Sequence, residues 1–144
     1  MAKKSKNPYM VDYYRKYGVA VIPRVVLTSP RYYRLNYSAH SLLNYIAAQY
    51  NGHNNGDLSA CLTQLRHYGF KSQDTLSRAI KALLANELIV RTRIGGKNFE
   101  TGANMPSLYA LTWQPINECN GKIDVRPTRK PCVDFIKEYE DIKK

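Results

Sequence analysis

Between Asp57 and Trp113 the chain reads as a helix, a glycine turn, a longer helix, a strand, a glycine-rich loop and a second strand. That order of elements, the sharp break between the two helices and a net charge of +11 predict an α+β, mainly α fold. Its class is the winged helix-turn-helix, with a two- or three-stranded antiparallel wing. At 144 residues one domain is expected. Residues 1–18 read as a basic, tyrosine-rich arm, 19–114 as the winged helix-turn-helix domain, and 115–144 as an extended tail with a short helix.

The elements follow from local chemistry. Tyr9 to Tyr17 suits a short helix stopped by Gly18, and Val19-Ala20-Val21-Ile22 reads as an edge strand halted by Pro23. Val25–Leu27 and Arg31–Leu35 read as single helical turns on either side of Ser29-Pro30. A firm helix starts near Ser38 as cap, with Ala39, Leu42, Leu43, Ile46 and Tyr50 on one face. Asn51 to Gly56 is turn chemistry. Asp57-Leu58-Ser59 then suits a short strand pairing with the wing, Ser59 being a candidate cap for the next helix. That helix, Cys61 to Tyr68, buries Leu62, Leu65 and Tyr68, with Cys61 read as a core residue. Gly69 takes the left-handed position, and Ser72 caps a run from Gln73 to Ala85 whose stripe is Leu76, Ile80, Leu83 and Leu84, with Asn86 at its end. In the strand Leu88–Ile94, Ile89, Arg91 and Arg93 alternate with Val90, Thr92 and Ile94. Gly95-Gly96-Lys97 reads as a hairpin tip needing positive φ, and Leu108–Trp113 as the returning strand.

Four of the eleven acids and three of the 22 bases lie in residues 134–144, so residues 1–133 hold 19 bases against 7 acids. A field of that sign favours a polyanion. Subtracting the apolar stripe from the longer helix leaves Gln73, Asp74, Ser77, Arg78 and Lys81 outside. In a helix-turn-helix this face meets the major groove. The Arg78 fork matches guanine N7 and O6, Gln73 matches adenine, and Lys81 suits a phosphate. Asp74 would repel phosphate, so it reads as a cap or as an acceptor from a cytosine amine. Lys71 and Ser72 stand where the helix dipole favours an anion. Arg91, Arg93, Lys97 and Asn98 on the wing suit phosphate or minor-groove contact, against the plainer reading of charges that protect an edge strand. Lys3, Lys4 and Lys6 could lie along the backbone or a groove. Seven of the twelve tyrosines fall in the first 37 residues, where core packing or a dimer surface competes with base stacking.

Other classes find little support. Cys61, Cys119 and Cys132 with His40, His53 and His67 lack zinc spacing, so neither metal nor cofactor is expected. An odd cysteine count suits free thiols in a reducing compartment. There are no paired carboxylates, nucleophile motif or phosphate loop, which argues against an enzyme. No apolar run is long enough to span a membrane, and the basic N-terminus lacks the apolar stretch of a signal peptide; a cytoplasmic protein is expected.

Four stretches are distinctive: Tyr50-Asn51-Gly52-His53-Asn54-Asn55-Gly56-Asp57-Leu58-Ser59-Ala60; Lys71-Ser72-Gln73-Asp74-Thr75-Leu76 with Leu88 to Arg93; Pro106 to Trp113; and Gly121 to Thr128. Together they resemble a family of small bacterial, phage and plasmid helix-turn-helix proteins, over about Val21 to Thr128. The resemblance implies a winged-helix fold and DNA binding, with Lys71 to Arg78 opening the recognition helix. The stretch Phe99 to Asn104 lengthens the wing beyond that pattern. The expectation is a sequence-specific double-stranded DNA-binding protein regulating transcription of mobile or accessory genes, with duplex DNA and a second copy of the chain as partners. The competing readings are a plasmid or phage replication initiator or partition protein, a protein-interaction module on a winged-helix scaffold, and an RNA binder.

Overall fold

The computed structural model describes the backbone of residues 8–144 and the side chains of residues 12–144. The segment carrying Lys3, Lys4 and Lys6 lies outside the described residues. The architecture is α+β, with helices α1 (Pro8–Tyr17), α2 (Arg24–Leu27), α3 (Pro30–Tyr33), α4 (Tyr37–Gln49), α5 (Leu62–Leu65), α6 (Gln73–Ala85) and α7 (Phe135–Lys143). Two small antiparallel pairs complete it: β1 (Ile89–Arg93) with β4 (Leu108–Leu111), and β2 (Gly96–Lys97) with β3 (Asn104–Met105).

The core forms where α4 crosses α6 over the β1–β4 pair. Leu42, Leu43 and Ile46 of α4 meet Leu76 and Leu83 of α6 and Ile89 and Leu111 of the strands, all fully buried. Each such side chain contributes about 1.5–3 kcal/mol by leaving water, so this cluster decides the fold. α4 starts two residues earlier than Ser38 implies. Asn36, in extended backbone, caps it by accepting from the Ala39 N–H at 3.0 Å. Ser59 caps nothing: its N–H and hydroxyl both donate to Gln49 Oε1, and α5 begins after Cys61, which makes no side-chain cap bond. Cys61 itself is only half-buried.

Two expectations in the first helix pair need correction. α5 lasts one turn and tightens into a 3-10 turn over Arg66–Tyr68, which rotates Tyr68 outward to 53% exposure. Its ring sits edge-on to Tyr45, and Phe70 takes the core position instead. Gly69 does adopt φ +92°, closing the turn without a Cβ penalty.

The sheet also departs from simple alternation. The register shifts between Arg91 and Arg93, so a bulge turns Thr92 inward, where its hydroxyl donates to the Gly56 carbonyl. Leu58 bridges Tyr109 on the far side of β4, as the Asp57–Ser59 reading implies. Gly95-Gly96 is not the hairpin tip, and neither glycine has positive φ. The hairpin continues through β2 and β3 and turns at Asn98–Ala103. Gly95 is instead a site of close approach: a Cβ there would lie 2.6 Å from the Ser107 nitrogen. Val19–Ile22 is not a strand either. It is an irregular segment, with Val19 and Val21 exposed, leading to Pro23 at the start of α2.

Residues 115–131 hold one 3-10 turn, Cys119–Gly121, and are otherwise irregular but pinned. Thr128 accepts from the Ile116 N–H and donates its own N–H to the Ile116 carbonyl. The chain then returns to the core: the Val133 N–H meets the Thr112 carbonyl, Val133 and Phe135 are buried, and Asp134 caps α7. Arg31 locks α7 in place. Its Nε and Nη2 grip the Glu138 carboxylate, Nη2 at 2.6 Å, while Nη1 donates to the Asn86 carbonyl at the end of α6. The bidentate hydrogen bond to Glu138 raises the Arg31 pKa further above its ordinary range.

Candidate nucleic-acid interface

α6 is built to present one side to solvent. Ser72 caps it by accepting from the Thr75 N–H at 3.2 Å, and Leu76, Ala79 and Leu83 anchor its inner stripe. That leaves Lys71, Ser72, Gln73, Asp74, Arg78 and Lys81 exposed, with Ser77 half-buried beside them. Their side-chain hydrogen bonds stay within the cap and the helix. Gln73 Nε2 donates to Ser77 Oγ at 3.3 Å, and Arg78 Nη2 donates to Asp74 Oδ2 at 2.6 Å. So Asp74 neither caps α6 nor stands alone; it holds the Arg78 fork one turn away. Lys71 and Lys81 flank this paired face as exposed cations.

The hairpin residues separate into two kinds. Arg91 is exposed, with its guanidinium 5.9 Å from the Tyr109 ring centroid, and Lys97 is exposed on β2. Arg93 and Asn98 are spoken for by the hairpin itself. Arg93 Nη2 donates to the Pro106 carbonyl at 2.9 Å and its Nε is buried without a hydrogen-bond partner. Asn98 Oδ1 accepts from the Glu100 and Thr101 N–H groups, which shapes the turn. The structure thus gathers Lys71 to Lys81 on one helix face and puts Arg91 and Lys97 on the hairpin, while Arg93 and Asn98 serve its root and tip.

Several residues beside this face escaped the sequence reading. Tyr37, Ser38 and Ser41 at the start of α4 line a shallow concavity of about 210 Å³ with Tyr68, Gly69, Phe70 and Thr75. Tyr37 is 90% exposed. Hydroxyls around a concavity at the start of α6 are suited to phosphate oxygens. The only signal available in the sequence was a Tyr-Ser pair at a helix start, which equally describes a cap. Asn55 also escaped notice. It is fully buried, its amide donating to the carbonyls of Leu111, Gln114 and Pro115 and its Oδ1 accepting from the Leu111 N–H at 2.7 Å. This staple fixes the end of β4, and with it the root of the hairpin.

Other chemistry is sparse. Among the described residues no group of three or more His, Cys, Asp or Glu is placed to hold a metal ion. No described helix is long and apolar enough to cross a membrane. Cys61, Cys119 and Cys132 are free thiols. Burial pushes the half-buried Cys119 thiol above the ordinary thiol range, with the Asp57 charge adding to the effect. No family model, curated protein or solved structure matches the chain.

Proposed function

We propose that this protein is a winged helix-turn-helix that binds double-stranded DNA with sequence preference and acts as a transcriptional regulator. α6 lies in the major groove, and the β1–β4 hairpin serves as the wing. The observation that carries the reading is the outward face of α6, capped at Ser72 behind the Gly69 turn and flanked by Lys71 and Lys81, in a chain of net charge +11. Its side-chain bonds are local and exposed, so they can be exchanged for base and phosphate contacts without dismantling the core. In this arrangement Arg78 and Gln73 read base edges, while Lys71, Lys81, Lys97, Arg91 and the Tyr37 hydroxyl hold the backbone.

Exposed Tyr13, Tyr14 and Tyr17 on α1 favour a second copy of the chain as a further partner. Two copies would read two half-sites.

Titration of a duplex over a range of salt concentrations tests the reading. With about five or six phosphates neutralised, log K falls against log salt with a slope near −5, at about −0.9 per phosphate. Tight binding to RNA in preference to duplex DNA would redirect the assignment. No salt-sensitive retention on either polymer would favour a protein-interaction module.

A further inference from the structure

The hairpin tip carries a side chain that the fold does not use. Phe99 is 105% exposed, beyond even an extended reference chain. The backbone around it is nonetheless closed on itself. The Asn98 N–H meets the Ala103 carbonyl at 2.8 Å, the Gly102 N–H meets the Asn98 carbonyl at 2.8 Å, and Asn98 Oδ1 takes the Glu100 and Thr101 N–H groups. Gly102, at φ +70°, completes the turn. The loop therefore satisfies its own polar groups and projects an aromatic ring from a shaped tip. Ile94, lower on the same hairpin, is also exposed.

The charges at the tip narrow what it can do. Lys97 stands on β2 below the turn, where it can hold phosphate, whereas Glu100 follows Phe99 at the tip itself, so the tip proper is not a cationic clamp. What it offers is an apolar wedge on a stalk rooted in the basic segment that holds Arg91. The six residue steps from Arg93 to Phe99 reach at most about 20 Å at roughly 3.3 Å each. Half a turn of B-DNA is about 17 Å, so a hairpin that leaves a helix seated in the major groove can arrive at the adjacent minor groove.

The geometry points to Phe99 as a wedge that enters a base step from the minor groove, partly unstacking it and kinking the duplex. This role rests on the DNA-binding reading above and deepens it: recognition then includes the ease with which a sequence unstacks, so flexible pyrimidine–purine steps are favoured at a position no polar side chain reads.

The test uses the full chain, wild type and with Phe99→Ala or Phe99→Leu. The probes are 2-aminopurine duplexes with the reporter placed at successive TA and CA steps. Anisotropy reports binding and end-to-end energy transfer reports bending in the same titration. Wild-type protein raises 2-aminopurine emission at one step and bends the duplex by about 20–90°. It also binds about tenfold more tightly when that step holds a mismatch, which lowers the cost of unstacking. Phe99→Ala loses the emission change, the bend and the mismatch preference, and Phe99→Leu restores them in part. Wild-type binding with no emission change at any step would overturn the wedge and leave DNA binding intact. Absence of duplex binding would overturn both. Phe99→Ala that bends DNA like wild type but no longer self-associates would assign the ring to a second copy of the chain instead.

Discussion

Replacing Asp74 by alanine separates what the outward face of α6 does for the fold from what it does for a bound polyanion. The Asp74–Arg78 pair is four residues apart and largely exposed on both sides. Such helix pairs contribute about 0.3–0.5 kcal/mol. An acid in the first turn adds about 0.3–1 kcal/mol through the helix dipole, and alanine returns roughly half of that by its helix propensity. The fold should therefore lose no more than about 1 kcal/mol, a fall in Tm of about 2–4 °C for a chain of this size. Against DNA the sign reverses. A carboxylate about 4–8 Å from a phosphate in water is repelled by about 0.5–1 kcal/mol, only partly screened at 0.1 M salt. Asp74→Ala removes that repulsion and frees the Arg78 fork, so binding should tighten by about two- to fivefold on preferred and scrambled duplexes alike. Thermal melting and anisotropy titrations at fixed salt read the two effects. If Asp74→Ala weakens the preferred duplex tenfold while melting normally, the reasoning fails: the carboxylate would itself be contacting a base or holding Arg78 in its reading pose.

Arg78→Ala should cost about 1–3 kcal/mol on a preferred duplex and much less on a scrambled one, whereas Lys97→Ala should weaken both equally and reduce the salt slope by about 1; equal losses on both duplexes for Arg78→Ala would remove it from base reading. Asn55→Ala strands the buried Leu111 N–H and carbonyl and exposes two further carbonyls to poor hydration. At about 1–3 kcal/mol for each buried group left unpaired, a loss of about 3–5 kcal/mol is expected. Urea unfolding followed by Trp113 fluorescence checks this, and a loss below about 1 kcal/mol would contradict the staple. The Cys119 thiol is pushed up by burial and by Asp57. The fold thus favours the neutral thiol, and the associated stability is complete below the ordinary thiol range and lost as pH rises from that range through the raised value. The difference in Tm between wild type and Cys119→Ala should therefore shrink from about pH 8 to pH 10, and a growing difference would contradict the assignment.

What the sequence disclosed depended on whether the deciding interaction was local. Ser72, Gly69 and the Leu76–Leu83 stripe act within a few residues, so the capped helix after the turn was legible. The same locality misled at Ser38 and Ser59, since a cap-forming residue near a helix start does not say which residue captures the N–H; Asn36 did so for α4. Phe70 takes the core place expected of Tyr68 because one 3-10 turn changes the rotation of the chain. The hairpin tip moved from Gly95-Gly96 to Asn98–Ala103 because Gly95 was selected by the nearness of Ser107, a partner twelve residues away. Asn55 and the Arg31–Glu138 clamp, whose partners lie 56 and 107 residues away, could not be read from spacing at all. Among the site residues, Lys71, Lys81, Arg91 and Lys97 stand exposed as expected, while the turn-building role of Asn98 and the tethering of Arg93 required the hairpin in three dimensions.

The central claim is that the face from Gln73 to Lys81 reads duplex DNA. Selection of bound duplexes from a random pool, run in parallel with wild-type protein and Arg78→Ala, tests it most directly. Enrichment of one sequence by the wild type, with preference lost at particular positions in Arg78→Ala, is the predicted result. Recovery of an unenriched pool by the wild type, or an identical consensus from both proteins, would contradict it.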